Sequence, residues 1–94
     1  MGFDYDVDKD SINRFKHRLP LLFGKRIFDD PAHVIVPTIR IGDEEERYKA
    51  IGLVDGKLHT AVHVWRGGVV RLISVRRSNA REQRDYHSDP GGSE

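Results

Sequence analysis

The stretch Val69-Val70-Arg71-Leu72-Ile73-Ser74-Val75-Arg76-Arg77 decides how the rest of the chain is arranged. Its alternation and its content of Val and Ile predict a strand. Residues 79–86 are good helix formers, and a polar start at Ser78 or Asn79 predicts that a helix begins there. Arginines outnumber acids across this strand and helix, and a guanidinium is a planar, permanently charged group that suits phosphate. The same pattern is also typical of a solvated strand end followed by an ordinary basic helix.

The length and composition predict one small domain. The chain has 94 residues, of which 33 % are charged and 37 % hydrophobic, so a single domain with a modest core is expected over residues 1–87 and a disordered tail over residues 88–94. Without cysteine the chain can form neither a disulfide nor a thiolate metal site. No apolar run reaches the about 18 residues that a membrane helix needs. The acidic start does not resemble a signal peptide, so the cytoplasm is the expected compartment and no membrane is expected as a partner.

The net charge of +1 conceals a difference between the two halves of the chain. Residues 1–46 carry ten Asp and Glu against seven Lys and Arg, whereas residues 47–94 carry five against nine. The second half is therefore the expected partner of a polyanion.

Two helices are predicted in the first third of the chain. Ile12, Phe15 and Leu19 recur at helical spacing, so one face of a helix over residues 9–18 is expected to be buried. A second helix is predicted over residues 20–28. Its apolar residues are too many for one buried face, which indicates that part of it contacts a partner.

The remaining pattern predicts strands joined by tight turns. Asp55-Gly56 and Gly67-Gly68 are hairpin signals, so the last three strands should form an antiparallel meander. A loop, or a single acidic turn, is expected at residues 42–46. The predicted strands comprise a short edge strand at residues 3–6, a strand at 33–36 that is closed or bulged at Pro37, and strands at 47–54, 57–66 and 69–76.

The turns also fix a register, which assigns each side chain to a sheet face. Tyr48 should lie opposite His63, and Ala61 should lie opposite both Ala50 and Ser74. One face is rich in branched apolar residues and is expected to pack against the helices; it holds Ile51, Leu53, Leu58, Val62, Val64, Ile73 and Val75, with Arg47, Lys49 and Arg71 toward one end. The other is small, polar and aromatic, as is typical of an open binding surface or a solvated face; it holds Tyr48, Ala50, Gly52, His59, Ala61, His63, Trp65, Leu72, Ser74 and Arg76.

A set of short motifs runs in order through about 85 residues. They are Phe3-Asp4-Tyr5-Asp6, Lys9, Asn13, Lys16-His17, Phe28-Asp29-Asp30-Pro31, Glu46-Arg47-Tyr48, Ile51-Gly52, Arg71-Leu72-Ile73-Ser74-Val75-Arg76, Glu82 and Tyr86. Together they resemble the BrnT family, the toxin half of BrnT/BrnA type II toxin–antitoxin modules. The chain departs from the family pattern at Tyr5, where Trp is usual, at Arg18, where Gly is usual, and at Leu22 and Phe23, where acidic residues are usual.

The resemblance implies an α+β, RelE-like fold: an antiparallel β-meander sheet with two N-terminal helices and one C-terminal helix. It implies an endoribonuclease that arrests translation. Separately, no cofactor is expected. It also implies a BrnA-like antitoxin with a ribbon-helix-helix part, with operator DNA bound only through the toxin–antitoxin complex.

An RNA strand can be cut through attack by its own 2′-hydroxyl, which requires proton transfer and stabilisation of the negative charge that builds up on the phosphate. The resemblance points to catalytic candidates Lys16, His17, Arg47, Arg71 and Arg76, with Ser74 as a hydrogen-bonding neighbour. The strands themselves add RNA-binding candidates His59, His63, Trp65 and Arg77, with Trp65 as a platform for base stacking.

The register creates a conflict within this set. It puts Arg47 and Arg71 on one face but Ser74 and Arg76 on the other, so they can share a site only if the sheet is bulged or strongly twisted, or if the site wraps a strand end. Glu82 is expected to form an ion pair with Arg71 or Arg76 rather than to act as an acid catalyst.

No metal site is expected. His59 and His63 fall on one strand face but about 13 Å apart at roughly 3.3 Å per residue, and the acidic clusters lie in predicted loops. Three functions remain open: an endoribonuclease toxin, a non-catalytic module that binds RNA or the ribosome, and a purely structural protein partner.

Overall fold

Residues 2–38 and 45–88 are described by the structure, a computed structural model. The elements in chain order are β1 (Gly2–Tyr5), α1 (Val7–His17), a 3₁₀ turn (Leu21–Phe23), α2 (Gly24–Phe28), β2 (Val34–Thr38), β3 (Arg47–Val54), β4 (Lys57–Arg66), β5 (Val69–Arg77) and α3 (Ala80–Ser88). The expected loop at residues 42–46 and the expected tail at 88–94 lie mostly outside the described residues. In the part that is described, no helix is long and apolar enough to cross a membrane.

The strands form one five-stranded sheet in the order β1-β5-β4-β3-β2. Neighbouring strands from β2 to β5 are antiparallel, as predicted, but β1 runs parallel to β5. The α+β class is therefore confirmed, while the expectation of a purely antiparallel sheet is wrong. The reason is that β1 reaches β5 through most of the chain, so no tight turn fixes its direction.

Both hairpin turns have the predicted chemistry. Asp55 and Gly56 have φ of 52° and 77°, and Gly67 and Gly68 have φ of 56° and 81°, which is the pair of positive values that suits a two-residue turn between twisted strands. The resulting pairs Tyr48–His63 and Ala50–Ala61 are those predicted.

The register of β5 changes at a bulge. His63 pairs with Leu72, but Val62 pairs with Ser74, so Ile73 is an extra residue without a partner. The expected pairing of Ala61 with Ser74 is wrong, and Ala61 pairs with Val75 instead. An extra residue reverses the alternation of the side chains that follow it, so Ser74 and Arg76 point to the face opposite to the one predicted.

The 3₁₀ turn and α2 cover the sheet face that was expected to be open, while α3 packs on the face that was expected to contact helices. Ala50 and Ala61 are fully buried beneath the 3₁₀ turn and α2. A Cβ on Gly52 would lie 2.5 Å from the carbonyl oxygen of Ile27, so α2 can approach the sheet because small residues stand there. The core cluster consists of Leu21, Ile27, Ala50, Val54, Ala61, Val70, Leu72 and Val75.

Helix α1 is attached to the sheet by polar side chains. The expectation that Ile12 and Phe15 are buried is wrong, since they are 57 % and 84 % exposed, whereas Asp10 and Asn13 are buried. The amide of Asn13 accepts from the N–H of Val75 and donates to its carbonyl oxygen, at 3.0 and 2.8 Å. Beyond the end of β1 the edge of β5 lacks a strand partner, so Asn13 supplies its hydrogen bonds.

The second helical segment is a 3₁₀ turn followed by the short helix α2. Leu21 and Ile27 are fully buried, and Phe23 and Phe28 pack against the core. Leu22 is 45 % exposed. The surplus of apolar side chains expected on this segment is thus mostly absorbed by the core, and the larger exposed set lies on α1.

Candidate functional site

The bulge at Ile73 gathers basic side chains on one face of the sheet. Lys49 and Ser74 are both cross-strand neighbours of Val62, which places their Cα atoms roughly 10 Å apart across β4. The face, referred to below as the basic face, is made up of Arg47, Lys49, Arg71, Ser74 and Arg76. The conflict in the sequence-based register is thereby resolved by a bulge, one of the ways that the sequence analysis allowed.

Glu82 is the acidic centre of the basic face. Its side chain is fully buried, and both carboxylate oxygens accept from the Arg76 guanidinium, at 2.7 and 2.8 Å. The Lys49 ammonium lies 3.1 Å away, and the Thr60 hydroxyl donates at 3.0 Å. Burial raises the pKa of Glu82, but hydrogen bonds from Arg76, the Asn79 backbone and Lys49 outweigh it and bring the pKa to about 2. The expected ion pair with Arg76 is confirmed, and Glu82 stays ionised.

A capping box at the start of α3 holds the Glu82 side chain against the sheet. The Asn79 side chain accepts from the N–H of Glu82, and the Glu82 carboxylate accepts from the N–H of Asn79, each at 2.9 Å. This reciprocal pair satisfies backbone donors in the first turn of α3. The sequence signal that starts the helix thus also places the carboxylate against β3, β4 and β5.

A groove of about 580 Å³ opens between α3 and the basic face. It is lined by Val36, Pro37, Thr38, Arg47, Lys49, Val62, Arg81 and Asp85. Lys49 and Arg81 are cations that the sequence analysis did not include among the site residues. Lys49 could have been found, because it lies two residues after Arg47 on a strand and so shares its face. Arg81 could not, because only the docking of α3 brings it there.

His17 is the last residue of α1 and lies beside β5. Asn13, one turn earlier, holds α1 to Val75 of β5. Partial burial lowers the pKa of His17 below its ordinary value of 6.5, and the positive charges of Arg76 and Lys16 lower it further. His17 is therefore a neutral imidazole at pH 7, close to Arg76, and able to accept a proton. Lys16 is exposed on the same helix turn.

Arg71 extends the basic face toward β1. Its guanidinium pairs with the Asp4 carboxylate at 2.5 Å and is one-quarter exposed. The alternative expectation, that Glu82 pairs with Arg71, is wrong, because the parallel pairing of β1 with β5 sets Asp4 beside Arg71. Phosphate oxygens could approach both Arg71 and Arg76 from the solvent side.

One known protein family matches most of the chain. The model of the ribonuclease toxin BrnT of type II toxin–antitoxin systems matches residues 5–82. The chain belongs to the BrnT family. Among curated proteins, none matches the sequence. The matched residues run from the end of β1 to Glu82 and include every member of the basic face. Membership implies an RNA substrate and a protein antitoxin as partner.

Four predicted RNA-binding residues of this BrnT chain lie on the opposite face. His63 is fully buried 5.1 Å from Phe28, and His59 is buried 4.9 Å from Phe23. Burial lowers the pKa of both histidines. Trp65 is 46 % exposed, and Arg77 pairs with His59 across the strands. The expectation that this face is an open binding surface is wrong, because α2 and the 3₁₀ turn cover the histidines.

Acidic and imidazole side chains do not converge in the described residues 2–38 and 45–88: no group of three or more could hold a metal ion there. The basic face supplies ammonium, guanidinium and hydroxyl groups, and His17, close to Arg76, adds an imidazole.

Proposed function

We propose that this BrnT protein is an endoribonuclease toxin that cuts RNA on the basic face and so inhibits translation. The observation that carries the proposal is the bulge at Ile73, because it turns Ser74 and Arg76 to the face of Arg47, Lys49 and Arg71. A cluster of fixed cations on rigid strands suits a substrate whose phosphate gains negative charge as the reaction proceeds.

The proposed reaction is attack of the RNA 2′-hydroxyl on the adjacent phosphorus. The neutral imidazole of His17 takes the hydroxyl proton, a contribution worth roughly 10²- to 10⁴-fold in rate. Arg76, held in a two-point contact by Glu82, and Arg47 stabilise the phosphorane charge. The Lys49 ammonium, which lines the groove, gives a proton to the leaving 5′-oxygen. The products are a 2′,3′-cyclic phosphate, or the 3′-phosphate that follows from it, and a 5′-hydroxyl.

We propose that this reaction needs no metal ion, because the cations of the basic face supply the electrostatic stabilisation that a bound ion would otherwise provide. We also propose the RelE-like fold that the family resemblance implies; it is supported by the packing of α2 on one face of the sheet and of α3 on the other.

The proposed partner is a BrnA-like antitoxin with a ribbon-helix-helix part. Membership in a type II toxin–antitoxin family supports a protein antitoxin. Operator DNA is then bound through the complex, since the basic face belongs to the toxin's RNA substrate.

The alternative function is a module that binds RNA or the ribosome without cutting. One observation favours it: Arg71 and Arg76 are both engaged by carboxylates, Asp4 and Glu82. Arginines held in this way can still bind phosphate through their remaining donors without any proton transfer.

Incubation of the purified protein with RNA in excess EDTA, followed by mapping of the fragment ends, separates the two functions. We expect cleavage to 5′-hydroxyl ends, and a loss of at least 100-fold in the variants Lys49→Ala and His17→Ala. Lys57→Ala, which removes an exposed cation at the β3–β4 hairpin, is the matched control and should cleave normally. Binding without cleavage would favour the alternative, and a requirement for Mg²⁺ or 5′-phosphate ends would exclude the proposed mechanism.

A further inference from the structure

Helix α1 carries apolar side chains that nothing in the described structure covers. Val7 is 73 % exposed, Ile12 is 57 % and Phe15 is 84 %. At 100° per residue the three lie within an arc of about 140° on the side away from Asp10 and Asn13. We call these three residues the α1 stripe. A helix ordinarily buries such a stripe, and exposed apolar patches of this kind mark interaction surfaces.

One flank of the α1 stripe is basic. Lys9 and Lys16 lie next to Ile12 on the helix surface, and Arg18 follows at the end of the helix. All three are exposed, and in the described residues none forms an ion pair. Asp8 falls within the arc of the stripe, near its N-terminal end. The surface therefore fits a partner with an apolar ridge and carboxylates along the side that meets Lys9 and Lys16.

The α1 stripe is continuous with the candidate site. Lys16 is one turn after Ile12, and His17 ends the helix beside β5, where Asn13 holds it. A partner that covers Ile12 and Phe15 would pass over Lys16 and close the α1 side of the basic face. That geometry suits a partner that blocks the approach of RNA, which is one way for an antitoxin to neutralise a ribonuclease toxin.

We propose that the α1 stripe is the docking surface for an acidic amphipathic helix of the protein antitoxin. The choice of partner rests on the proposed function, while the surface and its chemistry rest on the exposure and charge of α1. A second copy of this chain and an RNA strand are the competing occupants, and the test below distinguishes them.

The experiment is calorimetric titration of the purified toxin with the antitoxin encoded beside the toxin gene. Loss of one buried aromatic contact should raise the Kd of Phe15→Lys by about 10-fold, which corresponds to about 1.4 kcal/mol. Phe15→Glu should raise it by about 100-fold, because it also repels an acidic partner. Lys9→Glu should raise it several-fold and weaken the salt dependence of binding. Leu53→Glu, at an apolar residue with 46 % exposure on β3, is the matched control and should bind normally.

Each contrary outcome has a clear reading. If Phe15→Glu binds the antitoxin with wild-type affinity, the α1 stripe is not the docking surface. If Phe15→Glu and Phe15→Lys lose the same affinity, the partner is not acidic. Sedimentation of the toxin alone tests the second copy: a dimer that Phe15→Glu dissociates, with antitoxin affinity unchanged, would overturn the proposal. The proposal would also be overturned if Phe15→Glu lost RNA binding while its affinity for the antitoxin stayed unchanged. Ribonuclease activity of the free variants is measured separately, so an inactive wild type would refute the proposed function and leave the docking result intact.

Discussion

Arg76 and Glu82 form a two-point ion pair in which the two terminal guanidinium nitrogens donate to different carboxylate oxygens, at 2.7 and 2.8 Å. Arg76 owes its direction to the bulge at Ile73, and Glu82 owes its direction to the capping box with Asn79. The pair therefore joins the last strand to the last helix. The contact that completes the fold is also the contact that positions the candidate catalytic arginine.

Replacing Glu82 with Gln should lower the free energy of unfolding by about 2 to 4 kcal/mol, because it leaves Arg76 and Lys49 without their buried anion. Both cations are about one-quarter exposed, so water compensates part of the loss. The capping box should survive, since Gln also serves at this position. Thermal unfolding measures the effect, and Glu45→Gln, at an exposed ion pair with Arg66, is the control with little change expected.

The same variant should change the dependence of stability on pH. The pKa of Glu82 falls from 4.5 to about 2 on folding, so its stabilisation is fully present above pH 4.5 and is lost as the pH falls toward 2. The acid limb of the stability curve should be shallower in Glu82→Gln than in the wild type. Parallel curves between pH 2 and 4.5 would refute the low pKa.

Replacing Asn13 with Asp should destabilise the protein by about 2 to 4 kcal/mol. A carboxylate still accepts from the N–H of Val75, but it cannot donate to the carbonyl oxygens of Val75 and Leu19, both 2.8 Å from the amide. Ser11→Asp places the same charge on the exposed side of α1 and should be nearly neutral. Equal stability of the two variants, measured in urea, would contradict the role of Asn13 as a substitute strand partner.

Much of the fold could be predicted from the sequence, because alternation and turn chemistry are local. The bounds of β3 and β4 and both hairpin turns were predicted correctly. The bulge was not predicted, although the alternation of residues 70–76 breaks where the apolar residues Leu72 and Ile73 stand side by side. It changes the site more than any other feature, because two of the five residues of the basic face depend on it.

The sheet face that contacts α2 was assigned wrongly as open, for a related reason. Branched apolar residues were taken as the core, but Ala50, Gly52 and Ala61 form the surface on which α2 lies. Small residues permit close approach, which a count of apolar side chains does not detect. In the same way, the sequence alone suggests that Asp10 and Asn13 are exposed polar residues. In the fold they are buried, and their side chains accept hydrogen bonds from the backbone N–H groups of Leu21 and Val75.

The pKa of His17 should rise when Arg76 is replaced by Ala. Burial lowers the pKa of His17, and the positive charges of Arg76 and Lys16 lower it further. Because the variant removes the Arg76 charge, the pKa should move back toward its ordinary value. Titration of the imidazole by NMR measures the change. Arg77→Ala removes an equal charge one residue away on the opposite face and should leave the titration unchanged; the same rise in both variants would show that Arg76 has no specific effect.

Replacing Arg18 with Gly should stabilise the protein by about 1 kcal/mol. Arg18 ends α1 in the left-handed conformation, with φ of 61°, where a side chain is strained and glycine is not. Lys16→Gly, inside the helix, should instead destabilise by about 1 kcal/mol. A lower melting temperature for Arg18→Gly would contradict the prediction.

The most direct test of the site is to map where RNA lies on the protein. An RNA strand with 2′-deoxy residues cannot make the proposed attack, so it can be titrated into the labelled protein by NMR without being cut. We predict that chemical shifts change at Arg47, Lys49, Ser74 and Arg76 and at His17, and that Arg76→Ala weakens binding. Changes confined to Trp65, Arg77 and the exposed part of α2 would place the RNA on the opposite face and contradict the assignment of the basic face as the site.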